Sequence, residues 1–138
     1  MTYNSLVDWT PSTDYVHCNP KFHGHPRYDF VIANLGRGLV FAQLVFVFTC
    51  KVSGQNYRLA LVQPLSKPSR ATAKEADRVA SIHRWHARDQ KSCEVIPLDC
   101  IVRGALLVKD TKYKGDYFVI DTLDGDMYLR VKQRSSWA

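Results

Sequence analysis

Residues 39–50 read LVFAQLVFVFTC, an apolar run broken only by Gln43 and Thr49. No other stretch constrains the fold as much. Twelve residues fall short of the ~18 or more that a membrane helix needs. A soluble helix is disfavoured too, because the β-branched and aromatic side chains of Val40, Phe41, Val45, Phe46, Val47 and Phe48 crowd the preceding turn. As a strand, the run places Val40, Ala42, Leu44, Phe46, Phe48 and Cys50 on one face, and Phe41, Val45 and Val47 with Gln43 and Thr49 on the other. Apolar residues on both parities predict a central strand, buried on both faces or bending between two sheets or around a barrel.

The flanking sequence repeats the strand-and-turn rhythm. Residues 28–35 form a strand that turns at Gly36-Arg37-Gly38. Gly54-Gln55-Asn56 turns the long strand back into 57–63, which Pro64 stops. Residues 71–80 suit two helical turns, and 81–87 a strand with Ile82 and Trp85 as its apolar members. Short strands follow at 93–96 and 100–108, separated by Pro97. In 116–134, Asp124-Gly125 lies between alternating apolar residues, the pattern of a type I′ hairpin that sets Phe118 against Val131 and Ile120 against Leu129.

The expected fold is mainly β: a small distorted barrel or two-sheet domain of seven or eight strands, with a short helix in the middle loop. Residues 1–27 read as an irregular arm, broken by Pro11, Pro20, Gly24 and Pro26 and pinned to the core by Trp9, Tyr15 and Phe22. Residues 28–134 read as a single β domain.

A hydrophobic content of 46% and a charged content of 23% are globular values and exclude a disordered chain. The polar opening residues 1–9 contain no secretory signal. Cys18, Cys50, Cys93 and Cys100 form no CxxC pair and no disulfide-rich spacing. A reducing compartment is expected, nuclear or cytoplasmic, with no secretion and no membrane.

The net charge of +6 is concentrated in one place. Between positions 51 and 91 lie nine basic side chains against three acidic ones, an excess of six, and the rest of the chain balances to zero. Such a basic middle segment suits a polyanion or an acidic protein, or simply a solvated loop. Within and beside it, Lys51, Arg58, Arg84, Trp85, His86 and Arg88 are the candidate binding residues. Interleaved aromatic and basic side chains stack on bases and reach phosphates, and Trp85 also suits one wall of a methyl-lysine cage. The bland alternative is that Trp85 packs in the core and the arginines are solvated.

Cys18, His23 and His25 are weak metal candidates, with Cys93 or Cys100 able to complete a tetrahedron, but their spacing follows no standard zinc pattern. Asp121, Asp124 and Asp126 lack calcium-loop spacing. No nucleophile elbow, zinc-protease helix, phosphate loop or dinucleotide fingerprint is present, so the expectation is a non-enzyme with no cofactor and no small-molecule substrate.

Several blocks carry a resemblance. Ser12-Thr13-Asp14-Tyr15-Val16-His17-Cys18-Asn19-Pro20, Phe22-His23-Gly24-His25-Pro26-Arg27-Tyr28-Asp29 and Leu59-Ala60-Leu61-Val62-Gln63-Pro64 are three of them. Ile101-Val102-Arg103-Gly104-Ala105-Leu106-Leu107 and Asp116-Tyr117-Phe118-Val119-Ile120-Asp121 through Asp126-Met127-Tyr128-Leu129-Arg130 complete the set. Together they resemble a domain of uncharacterised basidiomycete proteins associated with Plavaka and Kyakuja–Dileera–Zisupton transposons, often the final segment of a longer protein. That resemblance implies a nuclear setting and names no site residues.

A weaker resemblance is to the bromo-adjacent homology (BAH) domain, a distorted β-barrel. It is carried by Phe41-Ala42-Gln43-Leu44-Val45-Phe46-Val47-Phe48, Leu59-Ala60-Leu61-Val62-Gln63-Pro64-Leu65 and Val95-Ile96-Pro97-Leu98-Asp99-Cys100-Ile101-Val102. It implies chromatin reading or protein interaction. The expected function is therefore a non-catalytic chromatin- or protein-interaction module that binds a histone or other protein peptide. A basic nucleic-acid-binding accessory domain is the alternative.

Overall fold

The computed structural model describes residues 1–66, 83–87, 92–133 and 137. In chain order the strands are β1 (Thr2–Asn4), β2 (Pro11–Thr13), β3 (Cys18–Phe22), β4 (His25–Tyr28), β5 (Phe30–Asn34), β6 (Leu39–Val52), β7 (Gln55–Ser66), β8 (His83–Ala87), β9 (Glu94–Pro97), β10 (Ile101–Ala105), β11 (Leu107–Lys109) and β12 (Asp116–Val119). One α-helix follows, α1 (Gly125–Lys132). The protein is mainly β, as the sequence implies. No helix among the described residues is long and apolar enough to cross a membrane. The helix expected at 71–80 lies outside the described residues, as does Ile82.

Eight strands form one sheet in the order β10-β5-β6-β7-β8-β12-β11, with β9 also paired to β7. The end strands β10 and β11 do not pair, so the sheet is not a closed barrel. Only Leu106 separates them in the chain, however, so the two ends must adjoin and the sheet curls round. Strand β7 is where it divides. Its Leu59–Val62 stretch pairs β9, and Leu65 and Ser66 pair β8. Pro64 sits between these two pairings, so its missing N–H costs no ladder bond, and the strand runs through the proline rather than stopping before it.

Aromatic side chains fill the space between the two branches. Phe41 stacks on Trp137 at 4.5 Å, and Trp85 meets Phe41 edge-on at 5.0 Å. Phe30 reaches Tyr117 across the same interior at 5.0 Å. Aliphatic packing continues through Ile32, Ala42, Leu44, Ala60, Val62, Met127 and Val131, all buried.

Strand β6 departs from its expected pattern in one respect. Leu44 pairs Val62 and Phe46 pairs Leu61, leaving Val45 as a bulge. The bulge exchanges the faces. Val40, Ala42 and Leu44 continue as Val47, Thr49 and Lys51, while Phe46, Phe48, Cys50 and Val52 fall on the opposite side. The first half of β6 is buried and the second half projects. The turn at its end is Ser53-Gly54, with φ of 49° and 80°, one residue earlier than expected. Two consecutive positive φ values make it a type I′ turn.

The expected hairpin at 116–134 is absent. Its first arm is β12, but Asp124 has φ −156° and caps α1, its carboxylate accepting from the Met127 N–H at 2.7 Å. Residues 127 and 131, one helical turn apart, bury Met127 and Val131 together.

The arm is more regular than expected: β1–β2 and β3–β4 are two antiparallel ribbons. Its anchor also differs. Trp9 and Tyr15 are 72% and 84% exposed, whereas Met1, Val16 and Cys18 pack on the core. Gly104 allows the close approach, since a Cβ there would lie 3.0 Å from Val16 and 3.3 Å from the Asp14 carboxylate.

Candidate interaction surface

The described polar groups are most densely organised around Arg103 on β10, which is 2% exposed. Its guanidinium donates to both oxygens of Asp124 at 3.0 and 2.9 Å and to Asp126 at 2.7 Å, and lies 3.3 Å from Asp14. Arg130 donates to Asp126 at 2.7 Å, and the Leu6 N–H does so at 2.6 Å. The Tyr3 ring lies under Arg103, 4.5 Å from centroid to guanidinium carbon.

Arg103 lowers the Asp124 carboxyl below the usual range, against the opposing effect of burial. Burial pushes the Asp126 carboxyl up, but Arg130, the Leu6 amide and Arg103 outweigh it, and the net shift is downward. Burial likewise works against the charged guanidinium of Arg103, and Asp124 and Asp126 overcome it, so Arg103 is held firmly protonated. Each guanidinium nitrogen of Arg103 has an acceptor, and no buried side-chain N or O among the described residues lacks a partner. The cluster locks the arm, β10 and α1 together and leaves no group aimed at a ligand.

The sequence candidates are dispersed. Trp85 is 6% exposed, wedged between Phe41 and Trp137, so neither of its faces is open for base stacking or a methyl-lysine cage. Its neighbour His86 is exposed and bonds Asp116 at 2.6 Å through Nδ1. In the ladder Arg84 pairs Phe118. Arg88 lies outside the described residues. Lys51 and Arg58 do share a face of the projecting β6–β7 hairpin, because Lys51 pairs Asn56 and Thr49 pairs Arg58. Arg58 is 3.8 Å from Asp99, both side chains largely in solvent.

The weak metal set is not assembled. Cys18 pairs Tyr28 at one end of the β3–β4 ribbon, whereas His23 is in the turn at the other end and His25 adjoins it. Among the described residues, no three His, Cys, Asp or Glu side chains are grouped to hold a metal ion.

The surface that stands out was not among the sequence candidates. Beyond the bulge, β6, β7 and β9 form a three-stranded sheet. The pairs Phe46–Leu61–Val95 and Phe48–Leu59–Pro97 run across it as two apolar rows, with strands about 4.8 Å apart. Phe46 and Val95 are 56% and 57% exposed, and the Phe46 and Phe48 rings stack at 5.8 Å. Cys50 pairs Tyr57 and Val52 pairs Gln55, extending the face toward the hairpin tip. The opposite face is core at Ala60, Val62 and Ile96, then turns polar at Thr49, Lys51 and Arg58.

Apolar side chains gathered on one exposed sheet face are the feature of the described surface that most resembles a contact site. In the sequence the same residues are indistinguishable from core. Only the bulge at Val45 directs Phe46 and Phe48 outward. No protein-family model matches the chain, and no curated protein or solved structure does so either.

Proposed function

We propose that this chain is a non-catalytic protein-interaction module that docks an acidic, partly apolar segment of a partner on the outer face of β6, β7 and β9. The observation that carries the reading is the pair of apolar rows, Phe46–Leu61–Val95 and Phe48–Leu59–Pro97, in which Phe46, Val95 and Pro97 are exposed and Phe48, Leu59 and Leu61 half-buried. Burying such rows supplies the affinity, at about 25 cal/mol per Å² of apolar surface removed from water. The charge selects the partner. Lys51 and Arg58 stand on the same hairpin, on its opposite face, so a basic histone tail that reaches round the strand meets like charge and an acidic segment meets opposite charge. The resemblance to transposon-associated proteins supports a nuclear setting for this encounter.

The test is selection from a random peptide-display library, followed by titration of the recovered peptides. The expected outcome is enrichment of peptides that combine Asp or Glu with apolar residues, binding at least tenfold more weakly to a Phe46→Ser/Val95→Ser double variant. Recovery of peptides without that composition, or equal binding to the double variant, refutes the reading.

The same charge excess favours one second reading, nucleic-acid binding by the basic segment. Duplex DNA affinity that falls with salt at a slope of about −0.9 per phosphate contact, and that survives the double substitution, would replace the protein reading with this one.

A further inference from the structure

Among the described residues, the second half of β6 has an edge without a backbone partner as well as an apolar face, with β3 and β4 lying near the strand. Strand β5 pairs it only as far as Gln43, and Leu44 N–H closes that side by donating to Asp29 O at 2.9 Å. The base of the β3–β4 ribbon comes close there, with Gln43 Nε2 donating to Tyr28 O at 3.3 Å. Beyond it, no described residue makes a backbone hydrogen bond to this edge along 45–52.

The turn decides which groups face that edge. In a two-residue hairpin the residues flanking the turn, here Val52 and Gln55, exchange both backbone bonds. Alternation then directs Phe46, Phe48 and Cys50 toward β7, and leaves the N–H and C=O of Val47, Thr49 and Lys51 pointing outward. The segment FVFTCKV is rich in β-formers, and an unpaired edge of this kind is a template for another strand.

We infer that this edge binds its partner by strand addition, and that the added segment alternates acidic with apolar residues. The inference rests on the protein-interaction reading above and specifies how that surface is used. A strand laid along 46–52 sends every second side chain to each face. On one face these side chains meet Phe46 and Phe48 and must be apolar. On the other they meet Thr49 and Lys51, and an acidic side chain is favoured beside Lys51; Arg58, one strand further in, already has Asp99 at 3.8 Å. Lys51 is exposed and has no ion-pair partner among the described residues. A second copy laid along the same edge would bring FVFTCKV, which has no acidic side chain to set beside Lys51.

The probe is a ten-residue peptide of alternating Val and Glu, with a Val–Lys version as control. The Val–Glu peptide is expected to bind at least tenfold more tightly than the control. Hydrogen exchange at the Val47, Thr49 and Lys51 amides, fast in the free protein, is expected to slow at least tenfold on saturation. Thr49→Pro removes an outward N–H that β7 does not use, so the hairpin survives and peptide affinity drops at least tenfold. If that variant does not fold, the exchange data on the wild-type protein decide alone. Undiminished binding to Thr49→Pro with no amide protection overturns strand addition while leaving face docking intact. No binding of the Val–Glu peptide, or protection of these amides in a peptide-free dimer, also overturns it.

Discussion

Among the described charged residues, Arg103 carries most of the architecture, because it is buried and shared by three carboxylates from the arm and the start of α1. Asp126 accepts from Arg103, Arg130 and the Leu6 N–H, while Asp14 and Asp124 still compensate Arg103, so Asp126→Asn is expected to cost about 1–3 kcal/mol, measured by urea denaturation. The pH dependence follows from the direction of the shifts. Asp124 and Asp126 are both held below the ordinary carboxyl value, so the folded state binds protons less readily than the unfolded chain. Their contribution is complete above the unfolded value of about 3.9 and is lost as pH falls through the lower folded values. A urea midpoint that declines below about pH 4 in the wild type, and declines less steeply in Asp126→Asn, is the expected result. Little of this cluster is legible in the sequence. Arg103 reads as one more basic residue in a strand, and its three partners are 89, 21 and 23 positions away.

At the scale of the elements, the turn residues were the readable part, and one of them misleads. Gly54 and Gly36 both mark real reversals. Ser53 adopts φ 49°, a conformation that asparagine tolerates better, so Ser53→Asn is expected to stabilise the hairpin by a few tenths of a kcal/mol. Gly54→Ala, at φ 80° with open space around the added methyl, is expected to cost about 1–2 kcal/mol from backbone strain alone. Thermal unfolding of the two variants, shifted in opposite directions, checks both. Asp124-Gly125 carries an equally strong hairpin signal and forms a helix start instead. An aspartate that tolerates a turn also caps a helix, and two features consistent with the helix were present. Asp126 and Arg130, like Met127 and Val131, are spaced four apart. Alternation at 116–119 and four-residue spacing at 126–131 coexist in one stretch, and the pull of buried Arg103 on Asp124 and Asp126 favours the helix.

For the molecule as a whole, the two halves of one apolar strand have different fates, and substitutions should separate them. Phe41 is buried between Trp85 and Trp137, so Phe41→Ala is expected to cost about 3–5 kcal/mol and to alter tryptophan fluorescence. Phe46→Ser, five residues along the same strand but in solvent, is expected to change stability by less than about 0.5 kcal/mol in the unbound protein. Denaturation curves of the two variants read the difference directly. A large cost at Phe46 would mean that its face is covered.

The sequence by itself determined the β class, the long strand and its hairpin, and the concentration of positive charge, because periodicity, β-propensity and charge are local properties of the chain. Tertiary structure decided the rest. Trp85 went inside because two sheet branches close over it. Residues 125–132 became helical where their carboxylates serve a distant arginine. The long apolar strand changes character at Val45, where one extra residue turns a core strand outward, so that its second half has an apolar face and an edge unpaired among the described residues. Which side of a strand meets the core depends on the register against its partner, and that is a property of the pair rather than of either sequence.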